Sequence, residues 1–417
     1  MNLIISSATI VDSSSKYHQK TVDIQIENGI ITKIAATIDN TNDYETISYE
    51  NLHVSQGWFD SSVSFGEPGY EERETIENGL NTAAQSGFTA VAVNPNAYPI
   101  ADTKADISFL KTKALGNAVE LHPIGALTKN SESVDLAELF DMKNAGAIAF
   151  GDYQKAIKNP NLLKIALLYA DNFDGLILSF PQENQIVGKG IVNEGYNSTR
   201  LGLKGIPSLA EELQVARDLF LLEYTKGKLH IPTISTAKSV ELLRNAKQKG
   251  LNVSCSVAIH NLVLSDDELE GFDTHYKVLP PLRTHNDQKA LIEAVKDGTI
   301  DMVTSDHNPI DIEHKKVEFD NAMYGTIGLE SAFGALQTLF STEKTIQMLT
   351  AGKERFGIEK TSIKEGQKAN FTLFNPNKTY TFSEAHIQSS SHNSAFLGKE
   401  LKGIVYGIIR HDQKVLS

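Results

Sequence analysis

The 417-residue chain contains a single cysteine, Cys255, which excludes a disulfide framework and any metal cluster built from several thiolates. Cys255 lies in an apolar, strand-like run, so we expect a buried thiol that packs as a small hydrophobic group. No apolar run is long enough for a membrane span, and the start of the sequence does not resemble a secretory signal. We therefore expect a cytoplasmic protein.

Basic residues are also in the minority. The sequence has 39 lysines and arginines against 52 acidic residues, which gives a formal net charge of −13. Because an acidic chain is repelled by phosphate backbones and anionic lipids, neither nucleic acid nor a membrane is expected as a partner. The hydrophobic content of 41% is ordinary for a globular protein, and the length suits one large domain with an accessory domain.

Both ends of the sequence are rich in short strand patterns. Near the N-terminus, Asn28-Gly29 predicts a tight hairpin turn between two apolar runs. The C-terminal region carries similar strand patterns separated by turn residues. We expect residues 1–54 and 360–417 to form one small β-sandwich domain built from both termini.

The middle of the chain, residues 55–359, alternates strand patterns with helical ones. A glycine that closes a helical run precedes most of the apolar strands, as Gly87 does before residues 88–93. Eight such units predict an α/β fold with a (β/α)8 TIM barrel, whose functional residues lie at the C-terminal ends of the strands. An open doubly wound sheet is the alternative, but no Gly-x-Gly-x-x-Gly motif follows any strand.

The first barrel strand ends in a recognisable motif. The sequence there reads Asp60-Ser61-Ser62-Val63-Ser64-Phe65-Gly66-Glu67-Pro68-Gly69. It resembles the cyclic amidohydrolases, most closely the class I dihydroorotases, in which the strand ends Asp-x-His-x-His-x-Arg-Glu-Pro-Gly. Further motifs that resemble this family are Pro95-Asn96, Asn193-Glu194-Gly195, Pro280-Pro281-Leu282-Arg283 and Ser305-Asp306-His307-x-Pro309. The resemblance therefore extends over nearly the whole chain.

The resemblance implies an amidohydrolase barrel of pyrimidine biosynthesis that hydrolyses or closes the cyclic amide of dihydroorotate with a zinc-bound hydroxide. The family holds zinc with four histidines, an aspartate or modified lysine after the fourth strand, and an aspartate on the eighth. The corresponding positions of this sequence are Ser62, Ser64, Asp152, Ser179, Thr233 and Asp306. Hydroxyl residues replace all four histidines, and a neutral hydroxyl is a poor zinc ligand beside an imidazole. We therefore expect neither zinc nor another cofactor, since two aspartates alone hold a divalent ion weakly.

The substrate-binding positions implied by the resemblance are depleted too. Gly66 stands where the family has a carboxylate-binding arginine, Leu279 where it has a pocket asparagine, and Ile310 where it has a histidine. Without the arginine, a buried substrate carboxylate lacks its bidentate partner. What remains is Asn96, a remnant of substrate binding, and Asp306, a remnant of the general base.

Few other side chains could rebuild the site. His307 adjoins Asp306, and His230 is odd-spaced from Thr233, so both histidines are expected to face away from the barrel axis in structural roles. His260 is the best candidate to reach the rim of the barrel, although a structural role is the simpler interpretation for it as well.

The retained carboxylates have a simple interpretation. We expect Asp152 and Asp306 to accept hydrogen bonds from Ser62, Ser64 or Thr233 in a buried polar cluster without a catalytic task. A nucleophilic serine, such as Ser62 beside Asp306, would have no positioned histidine base and no Gly-x-Ser-x-Gly elbow.

Three functions follow from these observations. The favoured one is a catalytically inactive dihydroorotase-like protein that acts as a structural or regulatory partner of aspartate carbamoyltransferase, since the family includes inactive barrels that assemble with that enzyme. Such a chain would form a homo-oligomer or a hetero-complex. The second function is an active dihydroorotase with a rearranged metal site. The third is a binding protein or a hydantoinase-like hydrolase for another, less charged cyclic amide.

Overall fold

The computed structural model describes residues 1–416. Its strands are β1 (Asn2–Ile10), β2 (Thr21–Glu27), β3 (Ile30–Ala35), β4 (Glu45–Ile47), β5 (His53–Gln56), β6 (Trp58–Val63), β7 (Phe88–Val93), β8 (Glu120–Gly125), β9 (Ala149–Phe150), β10 (Ile177–Leu178), β11 (Val192–Asn193), β12 (Gly205–Ile206), β13 (Leu229–Ile231), β14 (Val253–Ala258), β15 (Met302–Thr304), β16 (Asn370–Thr381), β17 (Glu400–Arg410) and β18 (Gln413–Leu416). Its α-helices are α1 (Ile76–Gln85), α2 (Lys104–Lys113), α3 (Leu139–Ala145), α4 (Pro160–Asp171), α5 (Asn184–Val187), α6 (Tyr196–Leu201), α7 (Ser208–Thr225), α8 (Ala237–Gln248), α9 (Ile259–Val263), α10 (His285–Asp297), α11 (Ile312–Lys315), α12 (Leu329–Leu339) and α13 (Thr342–Arg355).

Parallel strands form a barrel in the order β6-β7-β8-β9-β10-β13-β14-β15. The first and last of these meet beyond their ends, where the backbone N–H of Ser64 donates to the carbonyl of His307 at 2.7 Å. Every residue of β6 and β7 is buried, as expected for strands covered on both faces. The predicted α/β fold with a (β/α)8 barrel is confirmed.

Apolar side chains fill the barrel interior below the C-terminal ends of the strands. Phe59 on β6, Leu178 on β10 and Met302 on β15 belong to one buried cluster. Phe356, just after α13, joins this cluster and packs against Phe59 with a ring separation of 5.5 Å. Because this end is packed, the C-terminal ends of the strands are left as the place for a functional site.

The helices are bounded by local capping interactions. Thr75 accepts a hydrogen bond from the backbone of Asn78 at the start of α1. Gly146 and Gly298 end α3 and α10 in the left-handed conformation, as their positions in the sequence suggest. The end of α7 differs from the glycine pattern, since Lys226 takes the left-handed conformation with φ 60°.

No helix between residues 1 and 416 combines the length and the apolarity needed to cross a lipid bilayer.

The remaining terminal strands form a second sheet, in the order β18-β17-β16-β5-β1-β2-β3, with β4 paired to β1. The predicted hairpin joins β2 and β3, and both of its turn residues have positive φ, 50° at Asn28 and 72° at Gly29. The pairing of β5 with β16 links the two ends of the chain. The domain boundaries at residues 1–54 and 360–417 stay a prediction.

Candidate functional site

A buried aspartate joins the first and eighth barrel strands. The carboxylate of Asp60 accepts hydrogen bonds from the hydroxyl of Thr304 and, at 2.8 Å, from the backbone N–H of Ser305. Burial raises the pKa of Asp60, and these hydrogen bonds oppose the rise. The bonds hold the ends of β6 and β15 side by side, which brings Ser62 next to Asp306.

A hydrogen-bonded cluster surrounds Asp306. The Ser62 hydroxyl donates to Asp306 Oδ1 at 2.9 Å, and the Tyr153 hydroxyl donates to the same oxygen at 3.2 Å. Asn94 Nδ2 in turn donates to the hydroxyls of Ser62 at 3.1 Å and Ser64 at 3.3 Å. Burial raises the pKa of Asp306 to about 7. The predicted hydrogen bond between Ser62 and Asp306 is confirmed.

Asp152, the other retained carboxylate, is held by a loop instead of by the predicted hydroxyls. Its Oδ1 accepts the backbone N–H groups of Leu127 at 2.9 Å and Thr128 at 3.0 Å. Its Oδ2 accepts the Thr128 hydroxyl at 2.5 Å. Both carboxylate oxygens are therefore engaged by the loop after β8, and burial raises the pKa of this group.

Ser179 and Thr233 do not join the cluster around Asp306. The Ser179 hydroxyl donates to Asp218 Oδ2 on α7 at 2.6 Å, a partner outside the barrel strands. Thr233 lines the cavity at the barrel centre, and its backbone N–H donates to Ser256 Oγ at 3.1 Å. Of the six positions implied by the resemblance, the structure links Ser62 directly to Asp306.

His230 lines the barrel cavity, and the prediction that it faces away from the barrel axis is wrong. Its ring nitrogens lie 2.8 Å from Ser254 Oγ and 3.2 Å from Ser256 Oγ. The strand ends at Ile231, and Thr233 has φ 47°, so the alternation of side chains does not extend from one residue to the other. Burial lowers the pKa of His230 to about 3, which keeps the imidazole neutral.

The other two histidines are buried in structural positions. His260 lies in α9 with both ring nitrogens buried and without a hydrogen-bond partner, so it does not reach the rim. His307 Nδ1 accepts the backbone N–H groups of Gly328 at 3.2 Å and Leu329 at 3.4 Å, where α12 begins.

A small inner cavity and a large outer basin lie at the C-terminal ends of the strands. The inner cavity measures about 20 Å³, which is room for roughly one water molecule. The outer basin measures about 1130 Å³. Tyr153 and Gln154 line both spaces, and we call these two residues the plug. Gln154 Nε2 holds the plug together by donating to the Tyr153 hydroxyl at 3.2 Å and to the Leu279 carbonyl at 2.8 Å.

Sequence reasoning missed three members of the site, Tyr153, Gln154 and Asn94. A signal for Tyr153 exists, because a large aromatic residue directly follows Asp152 at the end of a predicted strand. Asn94 has no such signal, since an asparagine after a strand is also a common turn residue.

Two family profiles match the chain, one described as dihydro-orotase-like over residues 53–239 and one as the amidohydrolase family over residues 214–410. A dihydroorotase of Pelotomaculum thermopropionicum is 40% identical over 417 residues, covering 98% of this chain and 97% of that protein. A dihydroorotase of Acetivibrio thermocellus is 39% identical, covering 97% of this chain and 96% of that protein. The chain belongs to the dihydroorotase family.

Solved structures of more distant proteins share the fold of this dihydroorotase-family chain. The L-hydantoinase of Arthrobacter aurescens superposes with a TM-score of 0.86 at 20% identity, covering 100% of this chain and 96% of that one. A dihydropyrimidinase of Brevibacillus agri superposes with a TM-score of 0.82 at 21% identity, covering 100% of this chain and 95% of that one. At this level of identity the likeness concerns the fold alone.

The resemblance to the dihydroorotases implies zinc, and the side chains of this barrel do not fit it. Among residues 1–416, no group of three or more histidine, cysteine, aspartate or glutamate side chains is arranged to hold a metal ion. Asp152 has both oxygens bonded to a loop, and Oδ1 of Asp306 accepts two hydroxyls. The neighbouring Ser62 and Thr233 offer only neutral hydroxyls, which are poor zinc ligands.

Asn96 and Asp306, the two predicted remnants, are not brought together in one pocket. Asn96 lines the outer basin, and its Oδ1 is buried without a hydrogen-bond partner. Asp306 contacts Ser62 and Tyr153, which line the inner cavity. A ligand that touched Asn96 would therefore meet the plug before it met Asp306.

Proposed function

We propose that this chain is a dihydroorotase-family protein of pyrimidine biosynthesis that does not hydrolyse dihydroorotate and that serves as a structural or regulatory partner of aspartate carbamoyltransferase. The single observation that carries the proposal is the bond between the Tyr153 hydroxyl and Asp306 Oδ1. The Tyr153 hydroxyl thereby occupies the carboxylate of Asp306, to which the family resemblance assigns metal binding and proton transfer.

The donor chemistry around the barrel axis supports the loss of catalysis. Zinc-dependent hydrolysis needs ligands that hold the ion firmly while leaving a position for the attacking hydroxide. Ser62, Ser64, Ser179 and Thr233 stand at the family's four histidine positions, and none of them is an imidazole. Burial raises the pKa of Asp152 and of Asp306, which further disfavours the charged forms that would attract a cation.

The space inside the barrel supports the same conclusion. Dihydroorotate has about eleven non-hydrogen atoms, and small-molecule pockets usually measure roughly 300–1,000 Å³. The inner cavity measures about 20 Å³. To admit the substrate, the plug would have to move and give up its hydrogen bonds to Asp306 and to the Leu279 carbonyl.

Recognition of a substrate carboxylate is lost in a way that one substitution cannot reverse. A Cβ atom at Gly66 would lie 1.8 Å from the carbonyl oxygen of Tyr70, so no larger side chain fits there. The turn is fixed on both sides, because Gly66 N–H donates to the Glu74 carbonyl at 2.8 Å and the Tyr70 N–H donates to the Gly66 carbonyl at 2.9 Å. An arginine at this position would require the loop to be rebuilt.

The partner is inferred from the family resemblance and from the preserved fold. The chain spans 97% of its Pelotomaculum relative, and its barrel, capped helices and terminal sheet are all present. We infer that a chain which has the barrel and the terminal sheet without the zinc-binding histidines is retained for its shape. Aspartate carbamoyltransferase is the partner with which inactive barrels of this family assemble.

The test measures zinc per chain on protein purified without chelator and dihydroorotate hydrolysis on the same sample. The Pelotomaculum dihydroorotase, purified in the same way, serves as the positive control. We expect no stoichiometric zinc, no turnover, and co-purification with aspartate carbamoyltransferase of the same organism. One or two zinc ions per chain with turnover would refute inactivity, and a chain that purifies without the transferase would refute the partner.

The outer basin favours a second candidate, a protein that binds a small molecule at the mouth of the barrel. The basin of about 1130 Å³ is large enough for a small ligand, and Asn96 is among the residues that line it. Leu279 and Ile310 add apolar surface, which suits a cyclic amide without a carboxylate. A screen of cyclic amides for a rise in melting temperature tests this function, and a flat screen would remove it.

A further inference from the structure

Four side chains in contact with one another form a wall of the outer basin. We call it the stacking wall, and it consists of Tyr70, Arg73, Tyr98 and Met323. The ring centroids of Tyr98 and Tyr70 lie 6.4 Å apart, and the Arg73 guanidinium lies 4.3 Å from the centre of the Tyr70 ring. Arg73 Nη2 in turn lies 3.6 Å from the Met323 sulfur. The wall therefore presents two aromatic rings, a planar cation and a polarisable thioether to one space.

The end of the stacking wall at Tyr98 is open to a ligand. The Tyr98 side chain is 69% exposed, a high value for a large aromatic residue. An aromatic ring in this position is available to a second flat ring, which can stack on it in an offset or tilted arrangement. The fold gains little from an exposed ring, so its place beside a large cavity points to binding.

The backbone that carries the stacking wall is fixed at both ends. The Tyr98 N–H donates to the Pro68 carbonyl at 2.9 Å. A Cβ atom at Gly69 would lie 2.2 Å from the Tyr98 carbonyl oxygen, so the two loops are in close contact there. At the other end, Arg73 Nε donates to Asp311 at 3.2 Å. Because the wall is held in place before a ligand arrives, binding costs little ordering of the protein.

Other residues that line the basin offer carboxamide groups. Asn130 is exposed, and Gln154 engages Nε2 twice in the plug, which leaves its Oε1 as the atom it can offer to a ligand. Asn308 Nδ2 lies 3.5 Å from the Tyr324 carbonyl, at the long limit of a hydrogen bond. Carboxamides pair well with the edges of nucleobases, because both carry donors and acceptors side by side.

The charges that line the basin balance one another. Lys155 and Glu132 are both exposed and contribute opposite charges. The positive charge of Arg73 is paired with Asp311 at 3.2 Å. A phosphate or a carboxylate is held in proteins by a surplus of positive donors. The balanced lining therefore favours a polar ligand without a net charge.

The size of the basin favours a ligand larger than one ring. Its volume of about 1130 Å³ lies above the roughly 300–1,000 Å³ of typical small-molecule pockets, so a single ring would leave most of it to water. The plug separates the basin from the inner cavity of about 20 Å³. A ligand can consequently occupy the basin without displacing Tyr153 from Asp306.

We propose that the outer basin binds a nucleoside, whose conjugated base stacks on Tyr98 and whose polar edge meets the carboxamides of Asn130 and Gln154. The proposal rests on the second candidate function, because it names the class of ligand for the same basin. The nucleoside stays above the plug, so its binding requires no catalysis in the barrel.

The first test titrates the protein with uridine and with dihydrouridine in a calorimeter. The two probes share the sugar and the amide edge, but saturation of the ring removes the flat conjugated face. We expect uridine to bind at least about tenfold more tightly than dihydrouridine. Tyr98→Ala should weaken uridine binding by between about fivefold and about 150-fold and leave the binding of dihydrouridine nearly unchanged.

Three controls accompany this titration. Tyr98→Phe keeps the ring and should bind uridine like the wild type. Tyr196→Ala removes a tyrosine that is 80% exposed and does not line the basin, so it should also bind like the wild type. Adenosine is titrated as a second nucleoside with a larger stacking face. Circular dichroism establishes that every variant is folded.

A second test locates the bound base by fluorescence. Trp58 is the single tryptophan of the sequence and is fully buried, so a new exposed tryptophan reports on its own surroundings. Uridine should quench the emission of Tyr98→Trp with the affinity found by calorimetry, because the base contacts the indole ring. Tyr196→Trp should show no saturable quenching. The same response in both variants would refute stacking at position 98.

Several outcomes of the titrations would overturn the proposal. Equal affinity for uridine and dihydrouridine, or unchanged uridine binding in Tyr98→Ala, would refute stacking of a conjugated base. Binding of uridine monophosphate without binding of uridine would show an anion site instead. If cyclic amides raise the melting temperature while uridine and adenosine do not bind, the nucleoside is refuted and the second candidate function stands. If neither class binds, both are refuted.

Discussion

The phenol of Tyr153 and the carboxylate of Asp306 share a hydrogen bond of 3.2 Å across the centre of the barrel. Tyr153 lies just beyond the short strand β9, the fourth strand of the barrel, and Asp306 lies just beyond β15, the eighth. Both residues are enclosed by buried polar groups. The same contact holds Asp306 and connects the plug to the cluster that includes Ser62.

Tyr153→Phe should destabilise the protein while preserving its shape. The variant loses the hydrogen bonds that the hydroxyl makes with Asp306 and Gln154, so we expect a loss of about 1–3 kcal/mol in the free energy of unfolding. Denaturant unfolding measures the change. Tyr196→Phe is the control, because Tyr196 is 80% exposed. Equal stabilities of the two variants would mean that the hydrogen bonds of the Tyr153 hydroxyl contribute nothing to the free energy of unfolding.

Asp306→Asn should remove part of the pH dependence of stability. The folded-state pKa of Asp306 is raised from 3.8 to about 7, so between these values the folded protein holds a proton that the unfolded chain has released. The contribution of this group is therefore greatest below pH 3.8 and is lost as the pH rises towards 7. The free energy of unfolding, measured across this pH range, should fall less for the variant than for the wild type. An equal fall in both proteins would contradict the raised pKa of Asp306.

Restoring the four histidines should not restore zinc while the plug remains. The inner cavity has room for about one water molecule, so new imidazoles would be overpacked against Tyr153. We expect Ser62→His/Ser64→His/Ser179→His/Thr233→His to take up less zinc per chain than the same variant with Tyr153→Ala added. Elemental analysis after metal loading measures both. Equal uptake would show that the plug is no obstacle.

Gly66→Ala should be strongly destabilising, by more than about 3 kcal/mol, because its Cβ would lie 1.8 Å from the Tyr70 carbonyl oxygen. Gly271→Ala is the matched control, since a Cβ there meets no atom within 4 Å. Thermal and denaturant unfolding compare the two. Similar stabilities would mean that the loop yields easily to a Cβ atom at position 66.

The fold was open to prediction because its signals are local. Residues 88–93 form a strand with the predicted bounds, since a mostly apolar run after Gly87 has few alternatives in a barrel. Asn28-Gly29 makes the predicted hairpin because both residues tolerate positive φ. The exception at Lys226 has no local signal, since the glycine that follows it in the sequence is the usual residue for that conformation.

The site was less accessible, because it depends on side-chain directions beyond the strand ends. The hydrogen bond between Ser62 and Asp306 follows from their places on adjacent strands. The direction of the His230 side chain does not follow from alternation with Thr233, because β13 ends at Ile231 and Thr233 has a positive φ. The binding of Asp152 to Thr128 involves a loop whose path the sequence does not specify.

Strand β5 is paired on one side with β1 and on the other with β16, which is translated only after the entire barrel. While the ribosome makes residues 57–369, the edge of β5 that later receives β16 has no partner. We expect nascent chains stopped before residue 370 to be cut by protease within their first strands, and longer chains to resist. The last strands to be synthesised thus complete the sheet that the first strands begin, and they cover the edge of β5.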